Sequence, residues 1–123
     1  MQSAENLSRT QGLEEGGTRL WAALLAQDEA LTATSNPLRE IALEACRTKD
    51  RCDQLDEICR REPPTVLNAR GRRIAHPAWA EVRQQETTLR RLVAALRLPD
   101  PLTGRRPQRR GARGVYRPSG GSQ

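Results

Sequence analysis

The chain has 123 residues, of which 21 are Lys or Arg and 15 are Asp or Glu, so its formal net charge is +6. Only 36% of the residues are hydrophobic and Phe is absent, which leaves room for one small domain that buries little apolar surface. With three cysteines and one histidine, we expect reduced thiols and neither disulfides nor a metal site. The N-terminus is polar and no long apolar run is present, so we expect a cytoplasmic protein without a secretion signal or membrane span.

The N-terminal segment, residues 1–17, is polar and ends in paired glycines, which predicts a mobile arm. Apolar residues then recur at helical spacing, at Leu20, Trp21 and Leu24. That stripe predicts a short amphipathic helix over about residues 18–28.

A second, longer helix is predicted over about residues 34–62. Asn36 is a good cap and Pro37 suits the first turn, although a cap at Thr34 would give an earlier start. Two prolines at 63–64 end the helix. Its inward positions step by three and four residues in turn, which is a heptad seam. The seam comprises Leu38, Ile41, Ala45, Thr48, Cys52, Leu55 and Cys59.

A third helix is predicted over about residues 77–98, with a seam of the same kind formed by Ala78, Val82, Gln85, Leu89, Leu92 and Leu96. Two helices of similar length, each with one seam, most simply form an antiparallel hairpin. Between them, β-branched residues flank a Gly-containing turn, which predicts a small β-hairpin over about residues 65–75.

After Pro99 the periodicity ends, and residues 99–123 are rich in Pro, Gly, Arg and Ser. This composition predicts a disordered basic tail. The fold class we expect is therefore all-α, with a short N-terminal helix and a long antiparallel helical hairpin joined by a small β-hairpin. Residues 18–98 would form the helical oligomerisation domain.

Some apolar side chains lie away from the seams. Leu43 projects almost opposite the seam of its helix, while Trp79 and Val93 lie on one flank of theirs. Because a two-helix hairpin has little interior, we expect these three residues and Trp21 to contribute to a homo-oligomer interface. Ordinary packing inside one chain is the alternative for each of them.

Residues suited to catalysis are scarce. No hydroxyl or thiol is paired with a base, and His76 precedes a proline at a predicted helix start, where a structural role is favoured. The sequence has no GxxxxGK[ST] phosphate loop. The acidic residues Asp50, Asp53 and Asp56 are not gathered by a turn that would place them around a cation. We expect no enzymatic activity, no cofactor and no metal.

Positive charge is concentrated in the tail. Of the 21 basic residues, six are the arginines that follow Gly104, which leaves 15 basic against 15 acidic residues in the rest of the chain. Such a segment attracts polyanions, above all nucleic acid. The nucleic-acid-binding residues we expect are Arg105, Arg106, Arg109, Arg110, Arg113 and Arg117 in the tail and Arg70, Arg72 and Arg73 in the β-hairpin turn. Docking on an acidic protein is the alternative for the tail, and a solubilising loop for the turn.

Several segments together resemble the small terminase subunits of tailed phages of actinobacteria. In the third predicted helix they are His-Pro-Ala at 76–78 and residues 81–85 and 89–99. In the second they are Glu-Ala-Cys-Arg-Thr at 44–48, Asp-Arg at 50–51 and Leu-Asp at 55–56. In the tail it is the Arg-rich string at 109–116. The resemblance covers about residues 18–116. The stretch 31–37 departs from it by being longer and more polar.

The resemblance implies a non-catalytic protein of the host cytoplasm that forms a ring, binds double-stranded phage DNA and delivers it to the large terminase subunit, which holds the ATPase and nuclease. It transfers no active-site residue. Two other classes stay open: an oligomeric helical adaptor whose basic tail docks an acidic protein, and a small transcription regulator that reads DNA with its first two helices.

Overall fold

The computed structural model describes residues 12–107. Three α-helices, a short 3₁₀ turn and two strands make up this part of the chain, and they confirm the mostly helical class. The elements are α1 (Glu15–Gln27), the 3₁₀ turn Glu29–Thr32, α2 (Leu38–Arg61), β1 (Thr65–Leu67), β2 (Arg73–Ala75) and α3 (Pro77–Leu96).

Helices α2 and α3 pack against each other in opposite directions. Glu62 and His76 meet beside the β-hairpin, Arg51 Nε donates to Gln85 Oε1 at 3.4 Å midway along, and Leu96 shares a core with α2 at the far end. The buried seam residues are Ala45, Thr48, Cys52, Ala78, Val82 and Leu96. The predicted seams are therefore the faces through which the two helices meet.

The helix ends follow the sequence signals closely. Asn36 Oδ1 accepts the backbone N–H of Leu38 at 3.0 Å, and Pro37 has helical angles, so Asn36 does cap α2. The polar stretch before it holds the 3₁₀ turn, whose Leu31 is fully buried. Helix α3 ends two residues before the predicted boundary because Arg97 adopts the left-handed conformation, with a φ of 50°.

The predicted β-hairpin is present. Its strands pair antiparallel, with Val66 opposite Ile74, and Gly71 takes the positive φ of 74° that its turn requires. Asn68 Oδ1 accepts the backbone N–H groups of Arg70 and Arg72, both at 2.9 Å. One asparagine thus holds the turn in a single shape.

His76 joins the β-hairpin to α3. Its Nδ1 accepts the backbone N–H of Ala78 at 3.1 Å, which caps α3, and its Nε2 lies 2.9 Å from Glu62 Oε1. The backbone N–H of His76 also donates to the Pro64 carbonyl at 2.7 Å. The ring therefore fixes the angle at which the chain enters the third helix.

Helix α1 begins at Glu15, three residues before the predicted start, so residues 12–17 are not part of a mobile arm. Asp50 on α2 accepts the backbone N–H groups of Glu14 at 2.9 Å and Gly17 at 2.6 Å. Its carboxylate satisfies orphan donors at the positive end of α1. Residues 1–11, the rest of the predicted arm, lie outside the described part of the chain.

Gly17 is required for this contact. Replacing it with alanine should therefore destabilise the protein, although helix propensity alone predicts the opposite. A Cβ there would lie 2.4 Å from Asp50 Oδ2 and 2.7 Å from the Cys46 carbonyl oxygen, which is backbone and does not yield easily. We expect Gly17→Ala to destabilise the protein by about 1–3 kcal/mol, as overpacking does. Helix propensity alone predicts a gain of about 0.5–1 kcal/mol.

Urea unfolding followed by circular dichroism measures this difference. Thr18→Ala, one residue along in the same helical turn, is the control, since Thr18 is only half-buried and its hydroxyl donates to the carbonyl of Glu14, the residue that precedes the helix. A Gly17→Ala protein as stable as wild type or more so would show that α1 does not approach α2 in this way.

The hydrophobic core lies at the end of the hairpin that α1 covers. It consists of Trp21, Leu24, Leu31, Ala42, Leu43, Cys46 and Leu96. Burial, and to a smaller extent the nearby Asp50, raise the pKa of the Cys46 thiol from 9.0 to about 12. Cys46 is therefore a packing residue that stays protonated at neutral pH.

Two side chains assigned from the sequence to an oligomer interface belong to this core instead. Trp21 is 0% exposed and Leu43 is 1% exposed within the single chain. Leu43 does point away from the α2–α3 seam, but α1 and the 3₁₀ turn close over that side. For both residues the alternative, packing inside one chain, is what the structure shows.

The segment after α3 folds back on the core rather than departing from it at residue 99. The backbone N–H of Gly104 donates to the Asp100 carbonyl at 2.7 Å, and the N–H of Asp100 donates to the Arg105 carbonyl at 2.7 Å. Arg97 donates to the Pro107 carbonyl at 2.6 Å. The described part of the predicted tail is thus a hydrogen-bonded loop, and residues 108–123 lie outside the described range.

Candidate nucleic-acid interface

The tip of the β-hairpin presents the arginines that the sequence indicated. Arg70, Arg72 and Arg73 are all exposed. The Arg73 guanidinium donates to Thr65 Oγ1 at 3.0 Å, and none of the three pairs with a carboxylate in residues 12–107. Since the turn is braced by Asn68, these three cations project from a fixed support.

Two more arginines lie at the end of α2 that leads into the β-hairpin. Arg60 and Arg61 occupy the last turn of α2. Both contact Glu57, at 2.8 Å and 3.6 Å, so their charge is partly balanced. Only Glu62 separates them from the proline pair at 63–64, so their position in the sequence indicated that they would lie near the base of the hairpin.

The tail arginines divide into three kinds. Arg105 is exposed. Arg106 Nη2 bonds Asp28 Oδ2 at 3.0 Å, where Asp28 is only 7% exposed, and Arg106 Nη1 donates to the Arg97 carbonyl at 3.3 Å. Arg106 therefore ties the C-terminal loop to the start of the 3₁₀ turn, and its charge is paired with Asp28 within the chain. The remaining four, Arg109, Arg110, Arg113 and Arg117, lie outside the described residues.

The β-hairpin tip and Arg105, in the described start of the tail, do not meet within one chain. They lie at opposite ends of α3, whose 20 residues span about 30 Å. Each chain therefore presents two cationic regions separated by the length of a helix.

Apolar side chains at the β-hairpin end are left uncovered. Trp79 is 44% exposed, Ile74 40% and Leu67 63%. Ile74 pairs with Val66, so Leu67 points to the opposite face of the two-stranded sheet. Val93, the remaining candidate from the sequence, is half-buried on α3. The sequence did not identify Leu67 and Ile74 as exposed apolar residues, because the residue pattern of a strand does not show which of its faces will be covered by another element.

Residues 12–107 contain no cluster of three or more His, Cys, Asp or Glu side chains arranged to hold a metal ion. No described helix combines the length and apolar character needed to cross a membrane. Searches against protein-family models, curated proteins and solved structures each returned no significant match.

Proposed function

We propose that this chain is a non-catalytic, self-associating DNA-binding protein that acts as the small subunit of a phage terminase in the host cytoplasm. It binds double-stranded phage DNA and delivers it to the large subunit, which carries the ATPase and nuclease. The supporting observation is the set of tip arginines, Arg70, Arg72 and Arg73, which are exposed and lack carboxylate partners among the described residues. The family itself rests on the resemblance in sequence.

The charge distribution favours DNA over a compact ligand. Arginines that contact phosphates release condensed counterions, and this supplies affinity without reading sequence. The tip and Arg105 are separated by about 30 Å along α3, which suits a long polyanion. A small anionic ligand would need its cationic contacts gathered in one place.

Self-association would add the weak contacts of many chains. The exposed Trp79, Ile74 and Leu67 supply uncovered apolar surface at the hairpin end. Linking several copies raises the local concentration of cationic segments around one duplex, so avidity increases without a strong single site. If the copies contact one another head to tail, the closed form of the assembly is a ring.

A salt titration of DNA binding tests the DNA-binding part of this proposal. Protein stripped of nucleic acid is titrated into a labelled random-sequence duplex at several salt concentrations. The three tip arginines and the five tail arginines other than the ion-paired Arg106 give an expected slope of log affinity against log salt of about −7 per bound chain, from about 0.9 per contact. Absence of binding to bare duplex at 0.1 M salt would reject DNA as the partner and favour an adaptor that docks an acidic protein.

A further inference from the structure

A second basic surface lies along α3, outside the segments that the sequence indicated. Its residues recur at i, i+3, i+4, i+7, i+8 and i+11, so they share one face of the helix. That face, called here the α3 strip, lies opposite the buried seam and lines a shallow groove of about 620 Å³. The α3 strip consists of Ala80, Arg83, Gln84, Thr87, Thr88 and Arg91.

The charge of the strip is uncompensated. It carries two arginines and no acidic residue. Neither Arg83 nor Arg91 makes an ion pair or a side-chain hydrogen bond with any residue in 12–107. By contrast, five arginines of α1 and α2 bond carboxylates of their own helices, namely Arg19, Arg47, Arg51, Arg60 and Arg61.

The spacing and chemistry of the strip suit a phosphate backbone. Arg83 and Arg91 are eight residues apart, which is about 12 Å along the helix axis. At about 3.4 Å per nucleotide of one strand, that distance covers three to four phosphates. The hydroxyl of Thr88 and the amide of Gln84 lie between them, and such groups commonly donate to phosphate oxygens. The Thr87 hydroxyl already donates to the Arg83 carbonyl at 3.0 Å. Ala80 adds no bulk that would hold a duplex away.

The strip also joins the two cationic ends of the chain. Helix α3 starts next to the β-hairpin and ends at the loop that carries Arg105. We infer that the α3 strip is a DNA-backbone contact that connects the tip arginines with Arg105. The resulting track of about 30 Å corresponds to roughly nine base pairs of B-DNA. This inference rests on the proposed DNA binding and names a surface for it.

The test compares two full-length variants that lose the same net charge. Arg83→Gln/Arg91→Gln removes the two unpaired cations of the strip. Arg19→Gln/Arg47→Gln removes two surface arginines that pair with Glu15 at 3.8 Å and Glu44 at 3.5 Å. Both sites are exposed or partly exposed, so melting curves should stay close to wild type.

We expect the strip variant to bind duplex about 60-fold more weakly at 0.1 M salt, with a salt slope less steep by about 1.8, which is two contacts at about 0.9 each. The control variant should change the slope by less than about 0.5. Arg83→Lys/Arg91→Lys should keep the wild-type slope, because phosphate contacts need charge more than shape.

Equal slopes for the strip and control variants, with wild type binding DNA, would overturn this inference and leave the proposed function standing. Failure of the wild type to bind DNA would overturn both. Loss of affinity for poly-L-glutamate with unchanged DNA binding would assign the strip to an acidic protein and also overturn the inference.

Discussion

Replacing the four outermost tail arginines with glutamine is expected to weaken DNA binding by about 4 × 10³-fold at 0.1 M salt. The residues are Arg109, Arg110, Arg113 and Arg117, and they carry no acidic neighbour in the sequence. Four lost contacts at about 0.9 each should reduce the slope of log affinity against log salt by about 3.6. The change leaves the loop at 97–107 and its Arg106–Asp28 bond intact. Fluorescence anisotropy with a labelled duplex across a salt series measures both quantities.

A tail with the same four positions changed to lysine is the matched control. It keeps length and charge, so its slope should equal that of wild type, and its affinity should fall only modestly. If the glutamine variant retained the wild-type slope, the tail would not be a DNA contact. If the lysine variant lost as much as the glutamine variant, guanidinium geometry rather than charge would decide the interaction, as in recognition of a defined site.

Trp21→Ala is expected to reduce the free energy of unfolding by about 3–5 kcal/mol, the range for removing a large aromatic from a core. Trp21 is 0% exposed and packs with Leu24, Leu31, Leu43 and Leu96. Domains of this size are stable by only about 5–15 kcal/mol, so much of the protein should unfold in mild denaturant. Urea unfolding by circular dichroism at a fixed protomer concentration gives the value, since self-association makes stability depend on concentration.

Trp21→Phe should cost less than half as much. Phenylalanine keeps an aromatic ring in the core, and it removes the indole Nε1, which has no hydrogen-bond partner among the described residues. An unsatisfied buried N–H is unfavourable by about 1–3 kcal/mol, so its removal offsets part of the lost packing. A Trp21→Ala loss below about 1 kcal/mol, typical of a surface position, would place Trp21 outside the core and return it to the oligomer interface.

The helical frame was predictable because its signals are local. The seams of α2 and α3, the Asn36 cap and the proline pair at 63–64 each act within a few residues. The start of α1 was missed because it depends on Asp50, which lies 33 residues from Gly17 in sequence and supplies a cap that no N-terminal residue provides. Helix rules that consider only neighbouring residues cannot find such a partner.

The sequence could locate those residues of the candidate interface that are exposed because they are charged, but not the partners that some of them acquire in the fold. Exposed arginines in a turn were correctly located, as Arg70 and Arg72 show. The ion pair of Arg106 was missed because its partner, Asp28, is 78 residues away in sequence and becomes a partner only when the chain folds. Leu43 was misassigned because the seams describe two helices, whereas α1 and the 3₁₀ turn form a further layer over them.

The most direct test of the account is the mass of the protein in solution, measured by light scattering on material free of nucleic acid. The described chain leaves Trp79, Ile74 and Leu67 uncovered, and the proposed function requires copies that present their arginines together. We expect a defined species whose mass is at least about three times the 13.8 kDa of one chain, the smallest number that closes a ring. A mass of 13.8 kDa at all protein concentrations would contradict the assembly on which the proposed function depends.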